Sequence, residues 1–135
     1  MVTDEELISL AAEARERAYA PYSHFAVGAA LLAKSGKIYT ACNVENVSYG
    51  LSVCAERAAV FKAVSEGERE FEAIAVVTEK GKKGPCGACR QVLSEFSEDM
   101  RVIMADEEGA YRVLSLRELL PDAFTPADLS RGQVS

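Results

Sequence analysis

A three-layer α/β/α sandwich around a mixed five-stranded sheet is predicted by three observations. Helix-like and strand-like patterns follow one another in the order α-β-β-α-β-α-β-β-α, which calls for helices packed on the faces of one sheet. The chain has 135 residues, 49% hydrophobic and 27% charged, which suits a single globular domain over residues 1–135. Its longest stretch without a polar side chain, Phe25 to Ala33, is too short to cross a bilayer and reads as a buried strand, so no membrane partner is expected.

Thr3-Asp4-Glu5-Glu6 has the Ser/Thr-x-x-Glu form of a capping box, and Leu7, Leu10, Ala11, Ala14 and Ala18 recur at helical spacing, predicting a first helix from Asp4 to Tyr19. Ala20-Pro21-Tyr22-Ser23 breaks it. Ala26 to Lys34 and Lys37 to Asn43 then flank the turn Ser35-Gly36, as antiparallel strands of a hairpin would. After the polar loop Asn43 to Gly50, a second helix begins near Cys54 and stops at Gly67. Ala73 to Thr78 is a β-branched strand, Glu79 to Gly84 a charged loop, and Pro85 suits the first turn of a third helix from Cys86 to Phe96. Arg101 to Ala105 and Ala110 to Leu114 are strands joined by Asp106-Glu107-Glu108-Gly109, and Leu116 to Leu120 is a short last helix before a polar tail at roughly 130–135.

Fifteen basic and 21 acidic residues give a net charge of −6, so the chain has no basic footprint for a polynucleotide backbone and no nucleic-acid partner is expected. The start, Met-Val-Thr-Asp-Glu-Glu, is acidic where an export or transit segment would be basic, which points to a cytoplasmic location. Four cysteines in such a chain read as metal ligands or free thiols rather than as a disulfide framework.

Cys86-Gly87-Ala88-Cys89, at a helix start, brings two sulfurs to one helix face within reach of a shared metal, although a redox pair has the same form. Cys54-Ala55-Glu56, at the other helix start, adds a third thiol and a carboxylate. A structural zinc closes its coordination with a fourth protein ligand, whereas a catalytic one keeps a position for water. His24 and Cys42 are the other candidates for that fourth place, and neither has a second ligand beside it, which favours an open site. Three thiolates leave Zn²⁺ with a net negative charge. Helix N-termini, Arg57 and Arg90 are the groups placed to offset it, with Arg90 equally readable as a solvated charge on the third helix. Glu56 serves best as a proton carrier, because a carboxylate committed to the metal cannot also shuttle protons.

The segments Tyr22-Ser23-His24-Phe25, Val27-Gly28-Ala29-Ala30-Leu31, Asn43-Val44-Glu45-Asn46, Cys54-Ala55-Glu56-Arg57, Pro85-Cys86-Gly87-Ala88-Cys89-Arg90-Gln91 and Glu118-Leu119-Leu120-Pro121, with Phe124 beyond, resemble those of small, homotetrameric, zinc-dependent cytidine deaminases. The resemblance covers nearly the whole chain and implies a cytidine deaminase-like fold. It implies that Cys54, Cys86 and Cys89 ligate one zinc per subunit, that Glu56 is the catalytic proton shuttle and that Arg57 tempers the thiolate charge. Asn43 and Glu45 match residues that bind the sugar hydroxyls, Phe25 an aromatic near the base, and Ala55 a further substrate contact. Tyr49 and Phe124 match residues that reach a neighbouring subunit's site in a homotetramer. The implied reaction is hydrolytic deamination of cytidine and 2′-deoxycytidine in pyrimidine salvage.

Blasticidin-S deaminase shares the Cys-Ala-Glu and Pro-Cys-Gly-x-Cys-Arg-Gln motifs, but Asn43-Val44-Glu45-Asn46 favours a nucleoside. A purely structural zinc module has no use for Glu56 beside three sulfurs. A dithiol oxidoreductase needs Cys86 and Cys89 free of metal.

Overall fold

The computed structural model describes residues 2–81, 84–97 and 99–129. Its elements are α1 (Asp4–Arg15), β1 (Gly28–Ala33), β2 (Ile38–Cys42), α2 (Ala55–Ser65), β3 (Phe71–Thr78), α3 (Gly87–Ser94), β4 (Arg101–Asp106), β5 (Tyr111–Ser115) and α4 (Leu116–Leu119), with a 3-10 turn at Tyr49–Leu51. The strands form one mixed sheet in the order β2-β1-β3-β4-β5. β1 is antiparallel to both β2 and β3, β3 and β4 are parallel through the α3 crossover, and β4 and β5 close the edge as an antiparallel pair.

All six residues of β1 are buried, as are all residues of β3 except Glu72, so the central strands are covered on both faces. Period-two alternation divides them into two cores. Ala29, Leu31, Ile74, Val76 and Val102 join Ala59, Val60, Ala63 and Leu93 under α2 and α3. Ala30, Leu32, Ala73, Ala75, Val77 and Ile103 face Leu7 and Ala11 of α1. The expected three layers are therefore present. No helix among the described residues is long and apolar enough to span a membrane.

The α1 face of the sheet carries several alanines among larger residues, and at Gly28 the helix lies almost against the strand backbone. A Cβ added at Gly28 would sit 1.9 Å from the Ala11 carbonyl oxygen and 2.6 Å from the Arg15 nitrogen. Both are backbone atoms that cannot swing aside. Gly28→Ala is accordingly expected to cost about 3 kcal/mol through displacement of α1, read as a lower denaturant midpoint at unchanged slope.

α1 is four residues shorter than its spacing predicts. The Thr3 hydroxyl caps it as expected, accepting from the Glu6 N–H. Beyond Arg15 the N–H groups of Glu16, Arg17 and Ala18 bond three residues back, and the Tyr19 N–H turns to the Asn43 carbonyl, 3.0 Å away. The Glu45 N–H donates in turn to the Tyr19 carbonyl at 2.9 Å. This tertiary pairing outweighs the helical periodicity and fixes the loop that follows β2. Pro85 also differs from expectation: it lies one residue before the N-cap, Cys86, and outside the first turn of α3. The polar tail at 130–135 and part of the Glu79–Gly84 loop lie outside the described residues.

Candidate active site

Two helices begin at one place. Cys54 is the N-cap of α2 and Cys86 the N-cap of α3, and neither uses its side chain to cap its helix. Both sulfurs are therefore free to turn outward, in front of the positive ends of the two helices. Cys89, three residues into α3, lies on the same face as Cys86, with its Sγ 3.5 Å away. The sulfurs of Cys54, Cys86 and Cys89 all lie within 4.8 Å of one another. Tetrahedral zinc with bonds of about 2.3 Å to sulfur needs its sulfurs about 3.8 Å apart, so these thiols fit the ion. No fourth histidine, cysteine or carboxylate joins the group among the described residues. His24 is exposed, in the left-handed region at φ 59°, and Cys42 is half-buried at the end of β2. Neither approaches the cluster closely enough to complete it.

Cys54 and Cys89 hold their protons unequally. Hydrogen bonding from Cys89 and then the Arg57 guanidinium lower Cys54 to about 5, against an opposing push from burial. Cys89, whose proton is held by Cys54 and which is itself buried, is raised. Binding of a metal must release that proton. Arg57 donates from Nη2 to Cys54 Sγ at 3.5 Å. Arg90 does neither of the things expected of it. Its Nε donates to the Pro85 carbonyl at 2.7 Å and its Nη1 to the Leu119 carbonyl at 2.8 Å, so it ties the start of α3 to the end of α4.

Glu56, the second residue of α2, is buried. Burial first, and then the Cys54 thiolate, push its carboxyl up to about 7 against the opposing effect of its own backbone N–H. A carboxyl with that value can both take and give a proton at neutral pH. It faces a cleft of about 430 Å³ whose wall also carries Phe25, Asn43, Glu45, Tyr49, Cys54, Ala55, Arg57 and Cys86. The cleft opens beyond the carboxyl end of β3, where Thr78 contributes to the wall. A second cavity of about 320 Å³, lined in part by Met104, Asp106, Tyr111 and Arg112, includes no cysteine.

Asn43 is buried and does structural work at the cleft wall. Its Nδ2 donates to the Phe25 carbonyl at 2.8 Å and its Oδ1 accepts from the Val27 N–H at 2.9 Å. One further N–H and one lone pair remain on the amide. Asn43→Ala strands the Val27 N–H, and a fall in stability of about 2 kcal/mol by thermal melting is expected. Glu45 accepts from the N–H groups of Tyr22 and Ser23 and from the Ser23 hydroxyl. Tyr49, on the 3-10 turn, is exposed and packs edge-on against Tyr22, with ring centroids 6.0 Å apart. Phe124 lies away from this cleft, 63% exposed, its carbonyl accepting from Gln91 Nε2.

Sequence reasoning gave no role to Ser23 or Thr78, although both line the cleft. Ser23 lies inside a motif already singled out. Thr78 is the last residue of a strand with a parallel neighbour, and the carboxyl ends of such strands are where crevices form in open α/β sheets.

Three thiols that fit zinc, with a buried carboxylate beside them at the wall of an open cleft, define a metal site of the reactive kind rather than a closed structural one. Residues 1–106 match the family described as the cytidine and deoxycytidylate deaminase zinc-binding region. The chain is 52% identical over 128 residues to a cytidine deaminase of Sporosarcina psychrophila, covering 93% of this chain and 94% of that one. It is 48% identical over 122 residues to a cytidine deaminase of Mycobacterium tuberculosis, covering 90% and 89%. The fold superposes on the crystal structure of cytidine deaminase from Burkholderia pseudomallei with a TM-score of 0.88 at 53% identity, over 91% of this chain and all of the other. The chain belongs to the zinc-dependent cytidine and deoxycytidylate deaminase family.

Proposed function

We propose that this protein is a cytidine deaminase that converts cytidine and 2′-deoxycytidine to uridine, or deoxyuridine, and ammonia. The observation that carries the reading is the buried Glu56 carboxyl beside the Cys54, Cys86 and Cys89 cluster, facing a cleft of nucleoside size.

Zinc held by the three cysteines supplies Lewis-acid chemistry that makes water a nucleophile at neutral pH. Glu56 accepts one proton from the attacking water and hands it to N3 of the cytosine ring as C4 is attacked, then takes the second proton from the new C4 hydroxyl and passes it to the departing amine, which leaves as ammonia while C4 becomes a carbonyl. Burial keeps bulk water from competing for that proton. Arg57 and the two helix N-termini offset the charge of the thiolates. Phe25 and Ala55 bound the base, while Asn43 and Glu45 take the sugar hydroxyls, with Asn43 limited to the hydrogen-bonding capacity its backbone contacts leave over.

Ammonia release from a panel of substrates tests the reading. Cytidine and 2′-deoxycytidine are expected to react, and cytidine within a single-stranded oligonucleotide to react poorly, in keeping with the net charge of −6. Activity confined to a non-nucleoside aminopyrimidine would overturn the substrate assignment.

The assembly is a cytoplasmic homotetramer of one-domain subunits acting in pyrimidine salvage. Support comes from the exposure of Phe124, Tyr49, Leu51 and Val47, large apolar side chains that a lone subunit leaves in water. Phe124 then completes a neighbour's site. Phe124→Ala is expected to lower kcat/KM about tenfold while zinc content is unchanged; full activity from a species that sediments as a monomer would refute action in trans.

A further inference from the structure

We propose that Ser23 is a positioning residue that sets the carboxylate of Glu45 for recognition of a sugar hydroxyl and couples it to Phe25. The proposal rests on the reading of Glu45 as a sugar contact. Glu45 lies on the loop after β2 and Ser23 on the loop before β1, so neither chain segment alone fixes the carboxylate. Three donors from the 22–23 segment converge on it. Oε1 accepts from the Tyr22 and Ser23 N–H groups, each at 3.1 Å, and Oε2 accepts from the Ser23 hydroxyl.

A carboxylate has about four acceptor sites, two on each oxygen. With Oε1 doubly engaged and Oε2 singly engaged, one acceptor direction on Oε2 remains for a ligand on the cleft wall. The Ser23 hydroxyl decides which direction that is, because it is the donor that occupies the other one. The same oxygen accepts from the Phe25 N–H at 3.0 Å, so one hydroxyl joins the sugar-side acid to the backbone of the base-side aromatic. Next in the chain, His24 holds a φ of 59° with its N–H on the Ala20 carbonyl at 3.0 Å, a conformation few non-glycine residues adopt. The Ser23 hydrogen bonds on one side and the Ala20 contact on the other hold that turn. Hydrogen bonding from Ser23 is also the leading cause of the lowered pKa of Glu45, which keeps the group an anion and an acceptor.

Steady-state kinetics with cytidine and 2′,3′-dideoxycytidine test this, because the second substrate lacks both hydroxyls. Ser23→Ala is expected to raise KM for cytidine about tenfold with kcat changed less than about threefold, and to change the dideoxy substrate much less; a tenfold effect corresponds to one charge-assisted hydrogen bond. Ser23→Thr, which keeps the hydroxyl, should restore most of the cytidine KM. A general structural defect would instead lower both substrates alike. Glu45→Gln separates the two layers of the argument. Equal loss on both substrates in that variant would refute Glu45 as the sugar contact. Selective loss in Glu45→Gln, with no selective loss in Ser23→Ala, would refute Ser23 alone.

Discussion

Glu56→Gln is expected to keep a full complement of zinc and to lose about a thousandfold in kcat. The substitution is isosteric, so the second position of α2 stays filled and Cys54, two residues earlier, keeps its place as N-cap. What disappears is the ability to accept and return a proton. Removal of a positioned general acid and base costs between about a hundredfold and ten-thousandfold, and Glu56 is asked to act at more than one step. Metal content by elemental analysis together with ammonia release checks both halves. A variant with zinc and near-normal turnover removes Glu56 from the mechanism. One that loses zinc makes the carboxylate a part of the metal site instead.

Cys89→Ala is expected to be more damaging, because it acts on the metal. Cys89 is the most deeply buried of the three thiols, at 0% exposure, and its Sγ is only 3.5 Å from that of Cys86. Structural zinc in zinc-finger peptides is held by roughly 10–16 kcal/mol shared among four ligands, and on that scale the loss of one of three should weaken affinity by about a thousandfold or more. An ion held by these residues would tie the N-terminus of α2, through Cys54, to that of α3, through Cys86 and Cys89, so its loss should lower the melting temperature as well as the activity. Cys42→Ala supplies the control. That thiol stands at the end of β2, outside the cluster, and its removal should leave zinc and turnover intact. Equal sensitivity of the two variants would contradict the assignment of ligands.

The elements were legible in the sequence where local pattern and tertiary packing agree. β1 and β3 are apolar runs with β-branched or small residues, buried on both sides, and their alternation already divides the two cores. The thiol cluster was legible because ligand spacing on a helix is a local matter: Cys86 and Cys89 share a face by period alone, and only the convergence of Cys54 needed the fold. Features made by tertiary contact were not legible. The Tyr19 N–H leaves α1 for the Asn43 carbonyl, a pairing across more than twenty residues that no helical periodicity contains. Arg90 directly follows Cys89 and Arg57 lies three residues after Cys54, yet Arg90 binds the carbonyls of Pro85 and Leu119, because the end of α4 comes within its reach. In the sequence Gly28 is one residue of the apolar run from Phe25 to Ala33. Only the crossing of α1 shows that its missing side chain is what lets the helix approach.

Zinc-dependent deamination is tested by ammonia release from cytidine by the purified protein as isolated, after complete removal of zinc by a chelator, and after one equivalent of zinc per chain is returned. Activity as isolated, its loss on metal removal and its recovery at a stoichiometry of one are expected, with Glu56→Gln silent throughout. Activity that survives metal removal, or zinc that binds at one equivalent without any deamination, would contradict this expectation.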